Sequence, residues 1–192
     1  IVNGGVLMYN QWLHMGGGGP TRVTVGSGGA IYGGNEIDIR TNGTLIVTNG
    51  GYMGVGHMHV NDSRLVVDGA GATNNCGFEL WIGSNWPSGT GTTGRVIVNN
   101  GYLACRGLRM GQYDIDVGQG GGTFELNPGG TLYVGYQRGG TVLGHPDAVA
   151  ESAFILNGGS MSSYDLLKVD RHATFRGHGL VNYNNLPFFM NG

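Results

Sequence analysis

One short unit returns from end to end of this chain, and it limits the fold more than any other feature. It is an alternating apolar strand, a polar turn of Asn or Asp with Gly, and an apolar residue that restarts the next strand. The clearest copy is Val96-Ile97-Val98-Asn99-Asn100-Gly101-Tyr102-Leu103. Others begin at Val2, Val23, Leu45, Leu65, Phe124 and Phe154, and a weaker one is Phe175-Arg176-Gly177. The last strand residues before the turn are Val2, Val25, Val47, Val67, Val98, Leu126 and Leu156, at intervals of 23, 22, 20, 31, 28 and 30 residues. A unit of that size cannot bury its apolar face alone and must stack on its neighbours. Alternation within each copy marks strands. No segment carries apolar residues at helical spacing over a helical length, which disfavours a leucine-rich horseshoe with one helix per repeat.

A second recurring strand lies between these markers and closes with Gly. Its copies are Leu13-His14-Met15-Gly16, Leu80-Trp81-Ile82-Gly83, Leu108-Arg109-Met110-Gly111 and Leu132-Tyr133-Val134-Gly135, with Met53-Gly54-Val55-Gly56 looser. The closing Gly allows a sharp corner where a side chain would clash or φ must be positive. At the other corner Asn3, Asn49, Asn99, Asn127 and Asn157 are placed to form an amide ladder along the stack and to tolerate a left-handed backbone. The expected fold is all-β, a right-handed parallel β-helix of about seven to eight coils over residues 1–185, followed by an apolar tail or cap at 186–192.

Composition agrees with this and narrows the partners. Gly reaches 41 of 192 residues without a strict Gly-X-Y period, which excludes collagen, and 40% hydrophobic residues argue against disorder. Only 11% of residues are charged and the net charge is -2, with Lys168 the lone lysine, so no basic face for nucleic acid is expected. No apolar run approaches the roughly 20 residues that span a bilayer. The chain opens at Ile1 without Met or a signal-like segment, which reads as a mature product or an excised fragment. Cys76 and Cys105 stand about one repeat apart, so a rung-to-rung disulfide is conceivable. Aligning Leu80 with Leu108 nevertheless leaves them one residue out of register, on opposite strand faces.

Candidate chemistry is sparse. Asp114 and Asp116 share one strand face, as do Glu36 and Asp38, and such a pair on a groove could serve as acid and base on a polysaccharide or hold Ca²⁺. The same alternation is that of any solvated outward face. His57 and His59, with Asp62 near, point one way, but two ligands do not define a zinc site. Gly177-His178-Gly179 matches a tripeptide of polygalacturonases, and none of the other motifs those enzymes need occurs here. The Gly-rich runs 16–19 and 118–122 do not open a helix, so they form no phosphate cradle. No catalytic residue, metal site or cofactor is expected. His14, Trp81, Arg109 and Tyr133 read as an outward row of flat donor-bearing side chains. With Trp86 on the loop from Ser84 to Gly94, they form the candidate face for a glycan or protein partner.

The run from Ile82-Gly83 through Gly94-Arg95-Val96-Ile97-Val98-Asn99-Asn100-Gly101 to Leu108-Arg109-Met110-Gly111 resembles repeats of bacterial autotransporter-associated β-strand proteins and PEP-CTERM-type exported proteins. The likeness extends over nearly the whole chain, to Phe175-Arg176-Gly177-His178-Gly179-Leu180-Val181. It implies a right-handed parallel β-helix and export, and it carries over no catalytic residues. The ends sharpen the expectation. Ile1 and Val2 already belong to a rung, and Leu186, Phe188, Phe189 and Met190 need an apolar surface, either the last coil or the next subunit. The sequence therefore reads as an extracellular or cell-surface structural or adhesive solenoid, self-associating head to tail through its ends, with a surface glycan as further partner. The alternatives are a polysaccharide lyase or hydrolase working at Asp114 and Asp116, and glycan binding without turnover.

Overall fold

The structure, a computed structural model, describes residues 1–84, 92–111, 120–135 and 140–183 together with the backbone of 188–190. Every regular element among them is a β-strand, three to a coil in the first six coils and two in the last two. The first coil holds β1 (Val2–Asn3), β2 (Val6–Tyr9) and β3 (Trp12–Met15), and the second β4 (Thr21–Gly26), β5 (Ala30–Gly33) and β6 (Glu36–Ile39). The third holds β7 (Gly43–Thr48), β8 (Tyr52–Val55) and β9 (His57–Val60), and the fourth β10 (Ser63–Asp68), β11 (Thr73–Cys76) and β12 (Glu79–Ile82). The fifth holds β13 (Thr93–Asn99), β14 (Tyr102–Cys105) and β15 (Gly107–Met110), and the sixth β16 (Gly121–Leu126), β17 (Thr131–Val134) and β18 (Thr141–Leu143). In the seventh, β19 (Ser152–Ser163) runs unbroken through the first corner before β20 (Leu167–Val169); in the eighth, β21 (Ala173–Tyr183) does the same before β22 (Phe188–Met190).

Each strand pairs in parallel with its counterpart one coil on, which makes the molecule a parallel β-helix of eight coils and three faces. The first face runs through β1, β4, β7, β10, β13 and β16 to the opening halves of β19 and β21; the second runs through β2, β5, β8, β11, β14 and β17 to their closing halves. The third is the eight-stranded sheet from β3 to β22. Register follows the repeat. Val2 pairs with Val25, Val25 with Val47, Val47 with Val67, Val67 with Val98, Val98 with Leu126 and Leu126 with Leu156, so all seven markers form one inward column.

The second recurring strand divides between two faces. Leu13, Leu80 and Leu108 lie on the third face, whereas Leu132 and Met53 lie on the second. The closing glycines mark the difference: Gly16, Gly83 and Gly111 have φ of 88°, 66° and 77°, while Gly56 and Gly135 are not left-handed. At the first corner a pair such as Gly50-Gly51 has two separate causes. Gly50 takes φ 76°, and a Cβ on Gly51 would stand 2.3 Å from the Val25 carbonyl oxygen of the preceding coil.

Like stacks on like inside. Phe124, Phe154 and Phe175 stack with centroids 4.9 and 5.0 Å apart, the first two fully buried. The amide ladder also forms, in part: Asn127 Nδ2 donates to Asn99 Oδ1 at 2.6 Å and Asn157 Nδ2 to Asn127 Oδ1 at 3.2 Å. Asn49 falls outside it because Thr48 holds the column position opposite Asp68, and its φ of 46° instead supplies the left-handed turn. The backbone of 188–190 pairs within its own solenoid, Phe188, Phe189 and Met190 being the register partners of Leu167, Lys168 and Val169. Phe154 is sandwiched from both sides, so Phe154→Ala is expected to cost about 3 to 5 kcal/mol in urea unfolding; a loss below about 1 kcal/mol would mean the ring stack contributes little.

Candidate functional site

Ionisable side chains gather on the outside of the third face. Alternation on β3, β6, β9, β12 and β15 turns Leu13, Ile37, Met58, Leu80 and Leu108 inward, and register then builds two outward columns. One runs His14, Asp38, His59, Trp81, Arg109; the other begins Trp12, Glu36, His57. The expected carboxylate pair on β6 does share a face, but both are buried, Asp38 to 1% exposure. Side-chain nitrogens stand against one oxygen of each. Arg40 Nε donates to Asp38 Oδ2, His14 Nδ1 lies 3.5 Å from the same oxygen, and His59 Nε2 lies 3.0 Å from Glu36 Oε1. Asp38 Oδ1 is buried with no hydrogen-bond partner among the described residues.

A polar relay continues sideways from His59, whose Nδ1 is 3.2 Å from Ser84 Oγ. Ser84 in turn donates to Asn61 Oδ1 at 3.0 Å, and Thr92 Oγ1 donates to the same oxygen at 3.3 Å. Above it the Trp81 ring stacks on His59 at 4.3 Å and on His57 at 5.0 Å, and Phe78 closes the row against His57 at 4.9 Å. Arg109 reaches Glu79 at 3.8 Å. The arrangement is an interlocked lattice in which carboxylates, imidazoles, guanidinium groups and flat rings alternate from coil to coil, the cross-strand pairing that stabilises a sheet. No group of three or more His, Cys, Asp or Glu among the described residues is arranged to hold a metal ion. Asp62 does not join the two histidines, because its Oδ1 accepts from the Thr93 backbone N–H at 2.8 Å at the start of the first face.

Of the expected partner face, His14, Trp81 and Arg109 do share one column. Tyr133 does not: it lies on β17, on the second face, opposite Ala104 and Ser162. Trp86, Asp114, Asp116 and Leu186 lie outside the described residues. Ile1 is 92% exposed, and Val2 is partly buried in the first column. His178 continues the column of Asn157 on the last described coil of the first face.

The cysteines correct another expectation. They are not on opposite faces. The pairing of Asn74 with Leu103 and Asn75 with Ala104 sets Cys76 and Cys105 in one inward column, between Val55 and Val134. The alignment from Leu80 and Leu108 fails because the corner after Cys76 takes two residues, Gly77 and Phe78, and the corner after Cys105 only Arg106. Both are free, buried thiols, and Cys76 donates to the Glu79 carbonyl oxygen at 3.0 Å. Burial pushes the Cys76 thiol up to about 12 and holds Cys105 well above its ordinary range, so neither offers a thiolate.

Comparison of the chain with protein-family models, with curated proteins and with solved structures finds no match. Among the described residues no helix is long and apolar enough to cross a membrane. A direct check on the core follows from the thiols. The folded protein is expected to take no alkyl label from iodoacetamide at about pH 8, and the urea-unfolded chain to take one on each cysteine, read by intact mass. Rapid labelling of the folded chain would place the pair at the surface instead.

Proposed function

We propose that this chain is a non-catalytic, exported β-solenoid of structural or adhesive type that extends by stacking end to end on coils of its own kind. The observation that carries this reading is the sameness of the coils: one inward column and three parallel faces continue in register from β1 to β22, so each coil offers a matching surface to another of its kind. In the first coil β1, β2 and β3 are each the outermost strand of their face. Around those open edges Val6, Leu7, Met8 and Trp12 are 63%, 42%, 73% and 44% exposed. At the opposite end β21 and β22 are outermost among the described residues, with Leu180 56% and Val181 36% exposed.

A strand edge flanked by apolar side chains is a template for pairing. The surface that fits it is another coil of the same cross-section, and a second copy presents one in the same three-faced outline. Such a contact joins unlike ends, so it need not close and propagates as a filament. The resemblance to exported bacterial repeats, the low charge and the Asn and Gly corners support an extracellular or cell-surface setting. Non-catalytic use is supported by the third face, whose carboxylates on β6 are buried against imidazole and guanidinium nitrogens.

The test is light scattering after size exclusion, with negative-stain electron microscopy, on residues 1–192. Concentration-dependent head-to-tail oligomers are expected, dispersed by Val6→Lys with Met8→Lys, since edge lysines block strand addition. A monodisperse monomer at every concentration would overturn self-stacking.

A further inference from the structure

The second face differs from the other two in kind. From coil two to coil seven its outward positions carry no charged residue and no large aliphatic one, only Tyr, Thr, Ser, Asn, Ala and Gly. The third face by contrast carries Glu36, Asp38 and Arg109, and the first carries Arg64, Arg95 and Glu125. We propose that this face is a binding platform for an extended neutral polysaccharide, held by a file of tyrosine rings running along the solenoid.

Four tyrosines supply the rings. Tyr52 and Tyr102 share one column with Thr73 between them, and Tyr32 and Tyr133 occupy the neighbouring one. Tyr32, Tyr102 and Tyr133 are 45%, 39% and 37% exposed. Glycines let two of the rings lie along the sheet instead of standing off it. A Cβ on Gly54 would meet Tyr52 Cε1 at 2.8 Å, and one on Gly135 would meet Tyr133 Cε1 at 3.3 Å. Two shallow troughs, of about 490 and 320 Å³, run beside the rings and meet at Asn75 and Gly77.

This chemistry selects its ligand. Sugar rings present flat C–H faces that stack on aromatics, with hydroxyls at the edge for polar partners. Phenols, the Thr73 hydroxyl and the Asn75 amide provide those partners without charge. Burial and the neighbouring Tyr133 and Cys105 hold the Tyr102 phenol above its ordinary value, so it stays a donor at neutral pH. Two coil steps separate Tyr52 from Tyr102, about 10 Å, close to the length of two linked pyranose rings. On coils two to seven the outward strand positions offer an acidic polymer or nucleic acid no cation and a protein partner no aliphatic anchor; the troughs add one of each at their margins, Arg106, whose guanidinium lies over the Phe78 ring at 5.3 Å, and Met8 of the first coil.

Affinity electrophoresis of the whole chain, in its monomeric fraction, would be run through gels containing hydroxyethyl cellulose, a mixed-linkage β-glucan or polygalacturonate. Retardation is expected with a neutral glycan and not with polygalacturonate. Tyr52→Ala with Tyr102→Ala should weaken it roughly tenfold or more, two aromatic contacts being lost, and Tyr52→Phe with Tyr102→Phe should keep most of it. Should the alanine pair fail to fold by circular dichroism, Thr73→Lys with Asn75→Asp places charge on the same platform and is expected to abolish retardation. Absence of retardation by either neutral glycan, retardation by polygalacturonate alone, or binding untouched in a folded alanine or charge variant would each overturn the proposal. Because the monomer is used, the result is independent of whether the ends stack.

Discussion

Parallel pairing at one strand spacing sets each paired strand residue about 4.8 Å from its counterpart in the neighbouring coil. At that distance a side chain's main neighbour is whatever occupies the same position one coil away. Apolar groups, rings and amides gain from meeting their own kind, which is why Val25 to Leu156 form one column, Phe124, Phe154 and Phe175 another, and Asn99, Asn127 and Asn157 a third. Charges lose by it, because like charges directly opposite repel. The third face obeys this rule by alternation, with Asp38 between His14 and His59 and Glu36 beside His57. The first face breaks it once, where Arg64 stacks on Arg95, and there Glu125 draws the Arg95 guanidinium aside with an Nε contact of 2.9 Å.

From that constraint the faces acquire different uses. The lattice of the third face consumes its own polar groups: carboxylates meet imidazoles and a guanidinium, and Trp81 lies across both histidines. It is the better candidate for holding coils three and four together than for meeting a ligand. The second face keeps its hydroxyls and rings outward and spends glycines to flatten them. Stacking at the ends and display on one side are then separate properties of a single solenoid, and neither needs a catalytic residue.

The column from Val2 to Leu156 was legible in the sequence despite spacings that vary from 20 to 31 residues, because a corner can lengthen without moving the strand that follows. Inward positions are the ones the repeat must conserve in kind. What could not be read was how many strands each coil holds. The segments around Leu80 and Leu132 look alike, since both are apolar-x-apolar-Gly, and only the φ of the closing glycine and the pairing partner tell the third face from the second. That ambiguity put Tyr133 in a row with Trp81. It also hid the tyrosine platform, whose members sit in two alternating columns with no common spacing in the chain. The cysteines were set on opposite sides for a different reason: a corner of one residue at Arg106 against two at Gly77 and Phe78 is invisible until the coils are superposed.

Register is what all of this rests on, and cross-linking reads it directly. Thr44 and Arg64 are outward register partners, whereas Val66 lies on the same outward side two positions further along its strand. Partners at about one strand spacing fall within disulfide reach and diagonal ones at about 7 to 8 Å do not. Thr44→Cys with Arg64→Cys should therefore oxidise to an intramolecular disulfide, seen by non-reducing peptide mapping, and Thr44→Cys with Val66→Cys should stay reduced. Ready closure of the second pair with failure of the first would contradict the register, and with it the division of the solenoid into three faces.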